Sequence, residues 1–267
     1  MNKRQKIITT AVWFLLTGSI CVIIFSGYKL KKSLQIYEAG NQSYETLKEQ
    51  VRRQESGGES AGELPSGSVP PLFIDFEELK EINSDATAWL YCPGTEIDYP
   101  VMLAYDYNWY LHHLPDGSDN ANGTLFIDPN CPEDFHGGLS IIYGHHMKSG
   151  RMFGSLTRYK KQDYFDEHPY MFLYTEKENY RIDLKYGCVI SAGEWRERAF
   201  MYEVNLAGLL AYASTKTTFK SAAEYGEDDR FLVLSTCSYE FDDARYIVIG
   251  VLRPESGNSA EEKKGGI

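Results

Sequence analysis

The chain has 267 residues, 43% of them hydrophobic and 14% aromatic, and a formal charge of -11. That is enough apolar material for a sizeable core, which excludes a chain disordered throughout. The acidic balance argues against a nucleic-acid binder, which needs a basic face to meet phosphates. Five cysteines without a C-x-x-C pair argue against a disulfide scaffold and most zinc sites. The length fits one main domain with appendages.

The charge is uneven. Residues 1–32 hold six basic residues and no acidic one, so the rest of the chain carries -17. Within that stretch Ile7 to Gly27 is a run of 21 uncharged residues. As a helix it measures about 31 Å, enough for a bilayer core of about 30 Å. Lysines and arginine flank it on both sides, so the positive-inside rule decides little. The short basic N-terminus resembles an export signal, and the long acidic remainder reads as the exported part. The length of the run and the lack of an A-x-A-like site favour an uncleaved signal anchor over a cleaved signal peptide.

Ser33 to Gln54 reads as a helix, with Leu34, Tyr37, Tyr44, Leu47 and Val51 at helical spacings and Gly40 and Asn41 weakening its middle. A Gly/Ser/Pro-rich linker follows at 56–71. A short helix over Asp75–Ile82 has Asp75 as its cap and Glu78 three residues on. Strands are then expected at Trp89–Cys92, Ile97–Leu103, Thr124–Ile127, Leu139–Tyr143, Tyr170–Tyr174, Tyr180–Ser191, Phe231–Thr236 and Tyr246–Leu252. Helical patches intervene at Tyr107–His113, Met152–Tyr159 and Leu206–Ser214. The pattern predicts a mostly β, closed and mostly antiparallel barrel with a few helices. The divisions are a cytoplasmic N-terminus at 1–6, a transmembrane anchor at 7–27, a juxtamembrane helix and linker at 28–71, a folded domain at 72–253 and a polar tail at 254–267.

Cys237 ends a strand-like run and is followed by polar residues, with Arg245 at the start of the next strand. A reactive thiol needs such an electropositive neighbour, because the thiolate is the nucleophile. Taken alone, the more ordinary reading is a buried strand cysteine beside a solvated arginine. His145 and His146 follow another apolar strand and Gly144, a position suited to acid–base work on a nearby thiol. A surface-loop histidine fits equally well. The pair His112-His113 carries no visible chemistry, and no H-E-x-x-H spacing suggests a metal. Cys92, Cys131 and Cys188 lack a catalytic setting, and Cys188 reads as core.

The stretch Leu234-Ser-Thr-Cys237 with Arg245 resembles the L-x-T-C…R signature of sortases. Ile142-Tyr-Gly-His-His-Met147 followed by Gly150-Arg-Met-Phe153 resembles the class B form of the catalytic-histidine motif. Trp89 to Val101 and Gly123 to Asp128 also look like that class. The resemblance, to class B sortases of Gram-positive bacteria, covers about residues 73–253. It implies a sortase β-barrel with Cys237, His145 and Arg245 as catalytic residues, His145 being preferred because it directly follows the glycine. Ser235 and Thr236 are the candidate substrate contacts. Two departures stand out. Val233 occupies a position where sortases often have Thr, and the gap from Cys237 to Arg245 is shorter than in some class B members.

The implied activity is transpeptidation. A secreted protein with a C-terminal sorting motif of the N-P-x-T-x kind is cleaved after Thr through a thioacyl intermediate. It is then passed to an amine of a cell-wall peptide or a peptidoglycan precursor. No cofactor, metal or nucleic acid is expected. The catalytic domain is expected outside a single-pass anchor, with the N-terminus inside. The competing readings are a membrane-anchored Cys-His peptidase or amidase with water as acceptor, and a non-catalytic surface-anchored binding module.

Overall fold

The computed structural model describes residues 2–54, 72–199 and 202–255. The linker expected at 56–71 and the tail beyond 255 lie outside the described residues. Where two helices were expected, one continuous helix, α1 (Lys3–Val51), runs through the apolar stretch and the amphipathic one. It is long and apolar enough to cross a membrane. From Val12 to Leu30 its large apolar side chains are exposed, whereas Tyr44, Leu47 and Val51 are buried. Among the described residues one end of the helix therefore has no protein partner for its apolar surface, and the other packs on the domain. Gly40 does not break it, because its missing side chain admits Asn120 and Asn122. A Cβ there would stand 2.5 Å from Asn122 Nδ2 and 2.7 Å from Asn120 Oδ1.

A two-stranded sheet follows, β1 (Arg52–Gln54) with β2 (Leu72–Ile74), which the sequence did not suggest. Arg-Arg-Gln has no strand-like pattern, and its pairing comes from the position of α1. Helix α2 (Phe76–Ile82) is capped as expected, Glu78 N–H donating to Asp75 Oδ1 at 3.1 Å.

All eight expected strands exist. β3 (Ala86–Tyr91), β4 (Asp98–Leu103), β5 (Leu125–Ile127), β6 (Leu139–Tyr143), β7 (Tyr170–Thr175), β8 (Asn179–Ser191), β9 (Arg230–Cys237) and β10 (Ala244–Glu255) close a barrel. Their order is β10-β8-β7-β3-β4-β5-β6-β9. The neighbours are antiparallel except β4–β5 and β6–β9, which are parallel. β10 runs to Glu255, so Pro254 and Glu255, expected in the tail, are strand residues. The buried residues form a continuous apolar core that includes Trp89, Val101, Ile141, Phe231 and Val248.

The helical patches are α3 (Trp109–His112), a 3₁₀ turn (Gly154–Lys160) and α6 (Tyr202–Lys216). Two helices had no expectation, α4 (Gln162–Glu167) and α5 (Ala192–Ala199). Both are short, at six and eight residues, so tertiary contacts decide them.

Candidate active site

β6 and β9 are parallel neighbours with Tyr143 opposite Ser235. His145 and Cys237 each lie two residues further on, so both leave the same end of the barrel. β10 returns antiparallel beside β9, with Arg245 as the cross-strand partner of Cys237. Directly opposed residues in such a pair share a face, with Cβ atoms about 4.5–5.5 Å apart. The two side chains therefore leave the sheet on one face, where Arg245 Nη1 donates to the Ala244 carbonyl at 3.1 Å, and Ser235, two residues earlier, lies on that face too. Cys237, Arg245, His145, Ser235 and Thr236 all line one cleft of about 480 Å³.

The local backbone explains why His145 sits where it does. Thr236 Oγ1 donates to the Gly144 carbonyl at 2.8 Å, and Gly144 N–H donates to the Ser235 carbonyl at 3.2 Å. These bonds tie the turn after β6 to the end of β9. Gly144 is required by close approach. A Cβ there would lie 2.4 Å from Leu125 Cδ2 and 2.7 Å from Phe153 Cδ2. His145 Nε2 lies 2.8 Å from the Leu111 carbonyl, which can only accept. Nε2 therefore carries the proton, and Nδ1 is the basic nitrogen. Burial lowers the imidazole pKa, the Leu111 carbonyl raises it, and His112 lowers it again. The His112 ring is 6.3 Å away, so the His112-His113 pair, which carried no chemistry in the sequence, shapes the ring that does face the cleft. His146 turns aside, its Nδ1 lying 2.8 Å from the Cys237 carbonyl.

The thiols divide by environment. Cys237 is partly exposed, while Cys92, Cys131 and Cys188 are buried. Burial pushes the Cys188 thiol up to about 12 and also raises that of Cys92. Neither can supply a thiolate at neutral pH. Cys188 is a core residue of β8, as the sequence implied.

Sequence reasoning missed the walls of the cleft, which include Tyr107, Leu111, Phe126, Tyr143 and Trp195. Behind them Asp128 is fully buried. It accepts from Tyr143 Oη at 2.9 Å and from Tyr107 Oη at 3.2 Å. Burial and that carboxylate keep both phenols protonated. Asp128 closes a stretch already noted in the sequence, but nothing there linked it to two tyrosines. The Leu111 carbonyl leaves no sequence signal at all. Ser235 Oγ is buried and unpartnered among the described residues, and Thr236 spends its hydroxyl on Gly144.

No family model matches the chain. Sortase B of Listeria monocytogenes is 27% identical over 235 residues, which is 86% of this chain and 92% of that protein. The structure of Clostridium perfringens sortase B superposes with a TM-score of 0.62 at 27% identity, covering 67% of this chain and 99% of the other. A Streptococcus pyogenes class B sortase involved in pilus biogenesis superposes with a TM-score of 0.61 at 29% identity, covering 67% and 97%. With a closed eight-stranded barrel and a thiol cleft at one end of it, these likenesses identify the chain as a class B sortase, a cysteine transpeptidase.

Proposed function

We propose that Cys237 is the nucleophile, His145 the general acid–base and Arg245 the oxyanion and backbone donor. Their substrate is a secreted protein with an N-P-x-T-x-like C-terminal motif. The observation that carries this reading is the shared face of Cys237 and Arg245, with His145 on the parallel neighbour in the same cleft. The depressed pKa of His145 favours a neutral imidazole, which accepts the thiol proton at Nδ1 as sulfur attacks the Thr carbonyl carbon. The guanidinium fork holds the oxygen that becomes negative. As the C–N bond breaks, His145 returns the proton to the leaving amine, and a thioester remains on Cys237. An incoming amine then loses its proton to His145 and displaces the sulfur, which recovers the proton.

A hydrolase of the Cys-His-Asn kind would orient its histidine with an amide or carboxylate. Here the partner of His145 is a main-chain carbonyl, which favours the transferase. The apolar half of α1 anchors the enzyme, with residues 1–6 inside and the barrel outside, where substrate and wall amine meet it. Incubation of the full chain with a peptide library around P-x-T, followed by mass spectrometry of the products, tests the reading. Cleavage after Thr, a thioacyl adduct on Cys237, and loss of both in Cys237→Ala are expected. Turnover by purified, folded Cys237→Ala would sink it.

A further inference from the structure

The strand pair that carries Cys237 and Arg245 is also held from behind. The two residues are opposed across β9 and β10 and share one face. Successive side chains alternate between faces, so the residues that follow them, Ser238 and Tyr246, leave on the other side. Lys160, the last residue of the 3₁₀ turn, meets both. Its Nζ donates to Ser238 Oγ at 3.0 Å and stands 5.1 Å from the centre of the Tyr246 ring. It also pairs with the Glu240 carboxylate, which accepts from Ser238 Oγ as well.

Ser238 is the joint of this arrangement. It is buried, and its hydroxyl is gripped by Lys160 and Glu240. Its N–H donates to the Ala244 carbonyl at 2.9 Å, the same carbonyl that accepts from Arg245 Nη1. One peptide oxygen therefore ties the residue after the nucleophile to the guanidinium. The far end of the turn has its own hold, Ala192 N–H donating to the Asp243 carbonyl at 2.8 Å. Between the two holds Tyr239 and Phe241 are exposed, so the turn has little packing of its own. The side chains of Lys160 and Glu240 are 30% and 37% exposed, and such a pair alone contributes little. The buried hydroxyl and the aromatic face add to it, and both are in reach only while the turn keeps its place.

We infer that Lys160 is a positioning residue of the reaction. It acts through Ser238, fixing the β9–β10 turn so that the Cys237 thiol and the Arg245 guanidinium keep one spacing while the scissile carbonyl lies between them. The inference rests on the reading of those two residues as catalytic. Attack on a carbonyl tolerates little displacement, and an error of about 1 Å can cost roughly 10²-fold in rate. Lys160 is not among the residues that line the cleft, so the clamp acts on the chemical step and hardly on substrate binding.

The test is peptide-cleavage kinetics of the full chain in detergent micelles, run well below the unfolding midpoint of each variant so that every molecule counted is folded. Lys160→Met is expected to lower kcat about tenfold, with KM within about twofold. Ser238→Ala removes the joint and should do the same, and the double variant should be no slower than either alone. Lys160→Arg keeps the charge and the donors and should recover about half of the wild-type kcat or more. Lys161→Met, the same charge change on the exposed neighbour, should alter nothing. A rise in KM with kcat unchanged, additive losses in the double variant, an arginine variant as slow as the methionine one, or no loss at all would overturn the assignment. Amide hydrogen exchange gives a readout without catalysis. Exchange at Ser238 should quicken about tenfold in Lys160→Met while β7 and β8 exchange as in the wild type, and an unchanged turn would also overturn it. If the wild-type chain cleaves no peptide while exchange in the variant quickens, the catalytic reading of Cys237 falls and the clamp stands. If it cleaves peptide at a rate that Lys160→Met leaves unchanged, the clamp falls and that reading stands.

Discussion

The chemistry of single side chains separates Arg245 as a charge from Arg245 as a donor. If it supplies directional hydrogen bonds, Arg245→Lys should lose about 10²–10³ in kcat/KM, close to the loss in Arg245→Ala. A field acting on the thiol needs no such geometry, so near wild-type rates for the lysine variant would favour that role instead. Peptide-cleavage kinetics of the two variants decide it. His145 differs from His146 in a similar way. His145→Ala should cost roughly 10²–10⁴ in rate. His146→Ala removes a bond to the Cys237 carbonyl and a ring contact with Tyr239, and should cost far less. The pH dependence follows from the lowered pKa of His145. Burial disfavours the charged ring, so the folded protein binds fewer protons than the unfolded chain just below pH 6.5. This contribution to stability is present above that value and is lost as pH falls. If the neutral ring accepts the thiol proton as proposed, that form disappears over the same range, so the acid limb of kcat/KM should lie below pH 6.5. An NMR titration of the His145 ring should give a midpoint below 6.5, moving upward in His112→Asn. A midpoint at or above 6.5 would contradict the assignment.

At the scale of elements, the site depends on two strand ends being held together. β6 and β9 contribute His145 and Cys237 only because they are parallel and in register. The turn after β6 has no room for a larger residue at Gly144. Gly144→Ala should force Leu125 and Phe153 apart and destabilise the barrel by roughly 1–3 kcal/mol. It should lower kcat more than its effect on folding explains, because His145 moves with the turn. Chemical denaturation measured beside peptide kinetics checks both parts. An alanine variant with wild-type stability and rate would show that the turn tolerates the displacement.

Across the whole molecule, α1 is long and apolar enough at one end to cross a membrane and is part of the domain at the other. Tyr44 Oη donates to the Gly123 carbonyl at 2.6 Å, and Asn120 Nδ2 donates to the Ile36 carbonyl at 3.0 Å. The next residue continues the chain of contacts, since Thr124 N–H donates to the Tyr110 carbonyl and Thr124 Oγ1 to the His113 carbonyl. The carbonyl between them, Leu111, holds His145. Helix docking and imidazole orientation thus share one short segment. Tyr44→Phe deletes the buried donor and leaves the Gly123 carbonyl without it, a loss of about 1–3 kcal/mol. Thermal unfolding of the full chain should fall accordingly, with a smaller decrease in peptide turnover. Unchanged unfolding would mean that the helix contributes nothing to the barrel. Asp98 provides a second lock. It is buried, accepts from Trp89 Nε1 at 2.8 Å and pairs with Arg52 just past the end of α1.

The amino-acid sequence by itself determined the strands, because alternation and β-branched runs report a pleated, half-buried surface wherever they occur. It also determined which thiol, imidazole and guanidinium to consider, because Cys237, His145 and Arg245 each stand at a strand end beside residues that do not bury them. Asp75 as a cap and Cys188 as core were equally local. Only the tertiary structure decided the parallel pairing of β6 with β9, the tether from the Leu111 carbonyl, the tyrosine wall backed by Asp128 and the docking of α1. The physical reason is the range of the interactions. Periodicity and capping act within a few residues and leave a pattern in the chain. A carbonyl 34 residues from the ring it orients, or a tyrosine 79 residues from the carbonyl it grips, leaves none, because any residue's backbone can fill the first role and only the closed barrel brings the second pair together.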